Sequence, residues 1–239
     1  MKIIQIIHQY FPNYNSGTEQ YTYYLSQFLT SNNHEVVIFT IEPNQKKEKL
    51  IIYHHQQVKI YKFYKKSSHL NFKETFKSVK MEKLFHKILK KENPDLAAIQ
   101  SLIHHSLGYG KILKKQNIPF TISIHDYWFF CPNIKAINSD GKICDLYNKK
   151  CYQCAGKYLL NQGMLGKFIQ SVFWNQEVLK IRHELVHDFF NACSKIIVFS
   201  EFSNQIVSKL IPKSKKKIIL INHGVLGNNI YENHGKKLL

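Results

Sequence analysis

Residues 1–40 read MKIIQIIHQYFPNYNSGTEQYTYYLSQFLTSNNHEVVIFT. Residues 3–7 are a short continuous apolar run, the signature of a strand buried on both faces. A loop with Pro12, Asn13, Asn15 and Gly17 follows. Residues 18–30 then place Tyr21, Tyr24, Leu25, Phe28 and Leu29 at helical spacing, and residues 36–40 return to a continuous apolar run. Strand, glycine loop, helix and strand within forty residues are one βαβ unit.

The same alternation continues outward. Residues 43–49 are an exposed, lysine-rich loop and 58–63 a third strand. Residues 72–91 read as an amphipathic helix: Phe72, Phe76 and Val79 begin one face, Met81, Leu84, Phe85 and Ile88 continue it, and Lys73, Lys77, Lys80, Lys83, Lys87 and Lys90 crowd the rest. Asn93-Pro94 ends it, since proline cannot continue the ladder. Strands are expected at 96–100, 120–124, 196–199 and 218–221, and helices at 106–115, 167–190 and 203–210. The fold class is therefore α/β, a mostly parallel sheet with helices on both faces.

The chain has 239 residues and a mass of 28.2 kDa. A chain of this size buries about 70% of its unfolded surface, ample for a core. Lysine plus arginine number 34 against 16 acidic residues, giving +18 with neutral histidines. Arg182 is the sole arginine. Base-edge readers lean on arginine forks, so nucleic acid is not an expected partner. The lysine surplus suits either attraction to anionic surfaces or a compositional habit. No stretch approaches the roughly 20 apolar residues of a spanning helix. The opening run is also shorter than the roughly 7–15 apolar residues of a signal-peptide core. A cytoplasmic location with reduced thiols is expected.

Open α/β sheets bind ligands beyond the carboxyl ends of their strands. Those segments here are 8–17, 100–105, 125–131, 200–201 and 222–225, rich in histidine, glycine and small polar groups. They resemble the N-terminal domain of glycosyltransferase family 4, whose enzymes carry two Rossmann-like halves facing a cleft in the GT-B arrangement. The opening forty residues resemble the family's first strand, glycine loop, helix and "GHEV" strand. NPDLAAIQSLIHHS (93–106) resembles its "PD" strand with following histidines. FTISIHDYWFFCP (120–132) is similar to its "HD" segment, KIIVFSEFSNQIVSKL (195–210) to its "vSe" strand and helix, and KIILINHGV (217–225) to its inter-domain strand. Two departures stand out: Ser16-Gly17 replaces a glycine pair, and Asn33 replaces the "GHEV" glycine.

The resemblance implies residues 1–225 as one Rossmann-like, acceptor-side half of a retaining transferase, with a Cys-bearing insertion at 131–154 and a tail or linker at 226–239. The family's second half, which holds the nucleotide sugar, is not expected within these residues. The reaction implied moves a hexose from a nucleotide diphosphate sugar to a hydroxyl acceptor, a cell-envelope glycan or lipid-linked intermediate. The alternative is a non-catalytic module that holds an acceptor or pairs with a separate donor-domain chain. The family's lipid-linked acceptors add a peripheral position on an anionic membrane face to the expectations.

A leaving diphosphate needs stabilisation of growing negative charge. Ser16, Gly17 and Thr18 stand where a small residue and a helix N-terminus admit phosphate oxygens. His125 ends a buried strand and is either a structural histidine bonded to backbone or a site residue whose ring the following Asp126 fixes; the resemblance places it against the donor sugar as the catalytic residue. His104 and His105 follow another strand end, one expected to face the cleft. Glu201 is either an acceptor ligand or an acidic first-turn residue beside the capping Ser200. Cys131, Cys144, Cys151 and Cys154, separated by twelve, six and two residues, suit a structural zinc, with reduced thiols or a disulfide as alternatives. No cofactor is expected in the chemistry itself. The lysine-rich helix fits either an anionic lipid surface or an ordinary solvated face.

Overall fold

The structure, a computed structural model, describes residues 1–66, 72–132, 134–138, 141–144, 146, 151 and 176–224. Eight strands form one sheet: β1 (Lys2–Ile7), β2 (Glu35–Glu42), β3 (Lys49–His55), β4 (Val58–Tyr64), β5 (Leu96–Ile99), β6 (Phe120–Ile124), β7 (Lys195–Val198) and β8 (Ile218–Leu220). Their order is β3-β4-β2-β1-β5-β6-β7-β8. Every pairing is parallel except β3 with β4. The helices are α1 (Gly17–Ser31), α2 (Val79–Glu92), α3 (Tyr109–Lys115), α4 (Gln176–Ala192) and α5 (Glu201–Leu210).

Strand order turns outward in both directions from β1 and β5. Their carboxyl ends therefore open a crevice at the switch point. The central strands are covered on both faces, as their continuous apolar runs require. In β2, Val37, Phe39 and Ile41 join the larger core with α2, α3 and α4, while Val36 and Ile38 join a smaller core with Ile7, Tyr10 and Ile60. The α3–α4 contact is close, since a Cβ at Gly110 would lie 2.7 Å from the Phe189 ring.

Two elements depart from the sequence expectation. Residues 49–55 form a strand where no element is expected, its first residue falling in the loop expected at 43–49. β3 pairs antiparallel with β4 through a tight turn, His55 opposite Val58, with Gln56 at φ 53°. It carries the apolar run Leu50-Ile51-Ile52-Tyr53, but as an edge strand it is half exposed. The helix expected over 72–91 is also interrupted. A 3₁₀ turn at Phe72–Thr75 precedes Ser78, which caps α2 by accepting from the Met81 N–H. Asn33, standing in for the family's glycine, sits at φ 61°, a left-handed conformation that asparagine tolerates.

At the amino end of the sheet Glu92 closes a charged cluster. Its carboxylate accepts from Lys59 at 2.7 Å, from Lys2 at 3.2 Å and from the Tyr61 hydroxyl. Burial raises the carboxyl's pKa, but the three donors outweigh it and hold the value below the ordinary range. One carboxylate thus ties β1, β4 and α2 together.

The expected helix start at 167–175, Cys154 and the tail 226–239 lie outside the described residues. Within the insertion, Ile137 and Ile143 pair as an antiparallel bridge, consistent with a hairpin-like turn.

Candidate functional site

A cavity of about 870 Å³ opens at the carboxyl end of the sheet. It is lined by Ser16, Gly17 and Thr18 at the start of α1, by Tyr21, Tyr24, Leu25 and Phe28 along that helix, and by His125, His223 and Gly224. The helix is oriented against ordinary amphipathic logic. Its buried residues are Glu19, Thr22 and Ser26, whereas Phe28 is 64% exposed and Tyr24 45%. The spacing that marks α1 as a helix is real, but its aromatic face lines the cavity and its polar face enters the sheet.

The buried polar face is bonded. Glu19 lies 3.2 Å from His8 Nε2 at the end of β1 and accepts from the Ser16 hydroxyl. Burial pushes the Glu19 carboxyl up, yet His8, Ser16 and a backbone N–H outweigh it and hold the pKa at about 2. Ser26 donates to the Thr22 carbonyl at 2.7 Å and accepts from Gln5 Nε2 at 2.8 Å. Gln5 accepts in turn from Gln100 Nε2 at 2.9 Å, and Gln100 Oε1 lies 3.1 Å from His125 Nε2.

His125 thus sits where the sequence puts it, at the mouth of the crevice. Its ring stacks on Phe199 at 4.7 Å, and Phe199 stacks on His223 at 3.9 Å. Tyr21 meets all three rings edge-on, closing an aromatic box. Burial, then His223 and His8, push the His125 pKa down to about 3, so the imidazole is neutral at physiological pH.

Asp126 does not orient this ring. Its carboxylate accepts from the Trp128 N–H at 2.7 Å and shapes the following loop, while Gln100 holds His125. That loop is pinned by Arg182, 1% exposed, which donates to the carbonyls of Trp128 and Phe129 and stacks over Trp128 at 5.0 Å. The one arginine is therefore bound internally.

The other expected residues divide. Gly17 has open space where a Cβ would stand and no left-handed φ. The fold does not demand a glycine there, which leaves the room beside the helix start unexplained by packing. His104 is half-buried at φ 67°, and its carbonyl accepts from Lys65 at 2.7 Å. Burial, then Lys65 and His8, lower its pKa to about 4. His105 is fully buried, with Nε2 3.0 Å from the Ile7 carbonyl and Nδ1 3.2 Å from the Tyr109 hydroxyl. Its ring is a core residue, engaged on both nitrogens. Neither histidine lines the cavity. Glu201 is exposed in the first turn of α5, where Ser200 accepts from the Ser203 N–H and Glu201 from Asn204.

Of the four clustered cysteines, Cys131 and Cys151 are buried and Cys144 half-buried. Among the described residues no three histidine, cysteine or acidic side chains converge to hold a metal. Cys154 lies outside those residues, so the zinc expectation rests on spacing alone.

Tyr21, Phe199 and Gln5 were not anticipated as site residues, and Gln100 and His223 only as members of the post-strand segments 100–105 and 222–225. One signal was readable: a glutamine amid four isoleucines in a buried strand needs a polar partner.

A mostly parallel, doubly wound sheet with a helix start and a histidine beyond the carboxyl ends of its strands defines the class, a Rossmann-like domain. The chain belongs to Glycosyltransferase Family 4, whose model matches residues 15–225. Among solved structures it is similar to the E. coli trehalose-6-phosphate protein bound with UDP-2-fluoro glucose: 10% identity, TM-score 0.46, covering 90% of this chain and 42% of that one. It is also similar to the UDP-forming α,α-trehalose-phosphate synthase from Burkholderia xenovorans in complex with glucose-6-phosphate: 6% identity, TM-score 0.46, covering 89% and 43%. The chain thus spans less than half the length of these structures. No curated protein matches it.

Proposed function

We propose that residues 1–225 form the acceptor-side half of a retaining glycosyltransferase that moves a hexose from a nucleotide diphosphate sugar to a hydroxyl acceptor. The observation that carries this reading is the cavity joining His125 to the open start of α1. A neutral imidazole there hydrogen-bonds a sugar hydroxyl, and the helix start offers N–H groups to an anion.

Among the described residues the cavity lining holds no lysine or arginine. A diphosphate leaving group needs such cations or their equivalent, so a facing donor body supplies them, either in the same polypeptide or on a separate chain. In the second case this domain serves as the acceptor- or partner-binding module. Residues 1–225 without that body turn over little or no nucleotide sugar. The acceptor is a cell-envelope glycan or lipid-linked intermediate. The surplus of 34 basic over 16 acidic residues favours approach to an anionic membrane face. Among the described residues no helix is long and apolar enough to cross a membrane.

The test is His125→Ala in the assembled enzyme. Loss of one transition-state hydrogen bond costs on the order of 3 kcal/mol, about a hundredfold in turnover, with the melting temperature unchanged. Near-normal turnover in a folded variant overturns the assignment.

A further inference from the structure

From the polar chain behind His125 we infer that Gln100, Gln5 and Ser26 form a one-way hydrogen-bond relay that fixes the His125 tautomer and presents Nδ1 to the cavity as an acceptor. The inference rests on the reading of His125 as the sugar-facing group and makes the glutamines positioning residues.

The direction follows from the far end. The Thr22 carbonyl can only accept. Ser26 Oγ lies 2.7 Å from it, too close for two oxygens without a proton between them, so the hydroxyl donates there. Ser26 Oγ then accepts, which turns the Gln5 amide nitrogen toward it. Gln5 Oε1 faces Gln100 Nε2, and Gln100 Oε1 is left for His125. An amide oxygen only accepts, so His125 Nε2 carries the proton. The links from Thr22 to Gln100 are sealed from water, with Gln5, Thr22 and Ser26 0% exposed and Gln100 2%, while the last one, to His125, is partly buried at the cavity. Reversing any one amide sets two like groups face to face.

In the neutral ring the second nitrogen is then the acceptor. His125 Nδ1 makes no hydrogen bond to a described residue, and the ring lines the cavity. A group that offers a proton, such as a sugar hydroxyl, is matched to this nitrogen; a deprotonated phosphate or carboxylate oxygen there is repelled. The device gives the cavity a chemical preference without a charged side chain.

The experiment is a long-range proton–nitrogen correlation spectrum of the uniformly ¹⁵N-labelled chain, which reports the protonated nitrogen of each histidine. Loss of one signal set in His125→Gln assigns this ring among the 13. The expected wild-type result is a single Nε2–H tautomer. An Nδ1–H ring, or a mixture, overturns the relay. Ser26→Ala removes the anchor two residues away from His125, and the ring is expected to become a mixture at an unchanged fold. A folded Ser26→Ala chain that keeps a pure Nε2–H ring also overturns it. The wild-type spectrum decides the matter even where Ser26→Ala fails to fold. Because the readout needs no substrate, an intact tautomer beside an active His125→Ala enzyme supports the relay while removing the catalytic reading. A wrong tautomer beside an inactive His125→Ala enzyme removes the relay alone.

Discussion

Helices α1 and α2 both show apolar residues at helical spacing, yet they bury opposite faces. In α2 the apolar positions Met81, Phe85, Ile88 and Leu89 enter the core, and the lysines stay in water. In α1 the residues Glu19, Thr22 and Ser26 enter, and Tyr24 and Phe28 stay out. The physics of burial explains the first directly. The second holds only because each buried polar group has a partner on β1 or on α1 itself, since an unpartnered one costs about 1–3 kcal/mol. The aromatic face left out of the core lines the cavity. One helix therefore closes the core and the other walls the cavity.

That division makes Phe85→Ala the most damaging change. Phe85 is fully buried and stacks on Tyr109 at 4.1 Å. Truncation is expected to remove about 3–5 kcal/mol of stability in denaturant unfolding. A loss under about 1 kcal/mol would put α2 in the same category as α1.

Glu92, at the end of α2, comes next. Its three donors hold its pKa low. Its contribution is therefore present above the unfolded carboxyl value near about 4.3, and is lost as pH falls below that toward the folded value. Glu92→Gln is expected to cost about 2 kcal/mol at neutral pH, because Lys2 and Lys59 lose a charged partner but reach water. The gap between variant and wild type should close as unfolding is repeated toward acid. A gap independent of pH would contradict the ion-pair account.

The α1 variants should move stability least. Gly17→Ala is expected to leave stability unchanged or raise it by about 0.5–1 kcal/mol, since the Cβ meets open space in a helical turn. Binding of a nucleotide sugar by the assembled enzyme should weaken in the same variant. A destabilised chain with unaltered binding would return Gly17 to a purely local role. Phe28→Ser should change stability by less than about 0.5 kcal/mol, as expected of an exposed position.

The central strands were readable because a strand buried on both faces writes itself as an unbroken apolar run. β3 carries a comparable run, Leu50-Ile51-Ile52-Tyr53, but Lys49 and His54-His55 at its ends blur it into the lysine-rich loop before it. The break at Ser78 escaped because the apolar spacing continues across it. His125 and the start of α1 were legible as residues that follow strands. The face of α1 was not legible: periodicity gives a direction around the helix but not which side meets the sheet. Gln100, Phe199 and His223 reach the site from β5, β7 and β8, and only the strand order brings them to β1.

The side-chain amides of Gln5 and Gln100 bridge the two strands where the sheet divides. Their NH₂ protons are shut away from water, so they trade with deuterium only when β1 and β5 part locally. Surface glutamines exchange freely. The slow amide pairs of Gln5 and Gln100 thus act as a built-in clock for the crevice. Their exchange rate measures how often the switch point opens, with no ligand added and no residue changed.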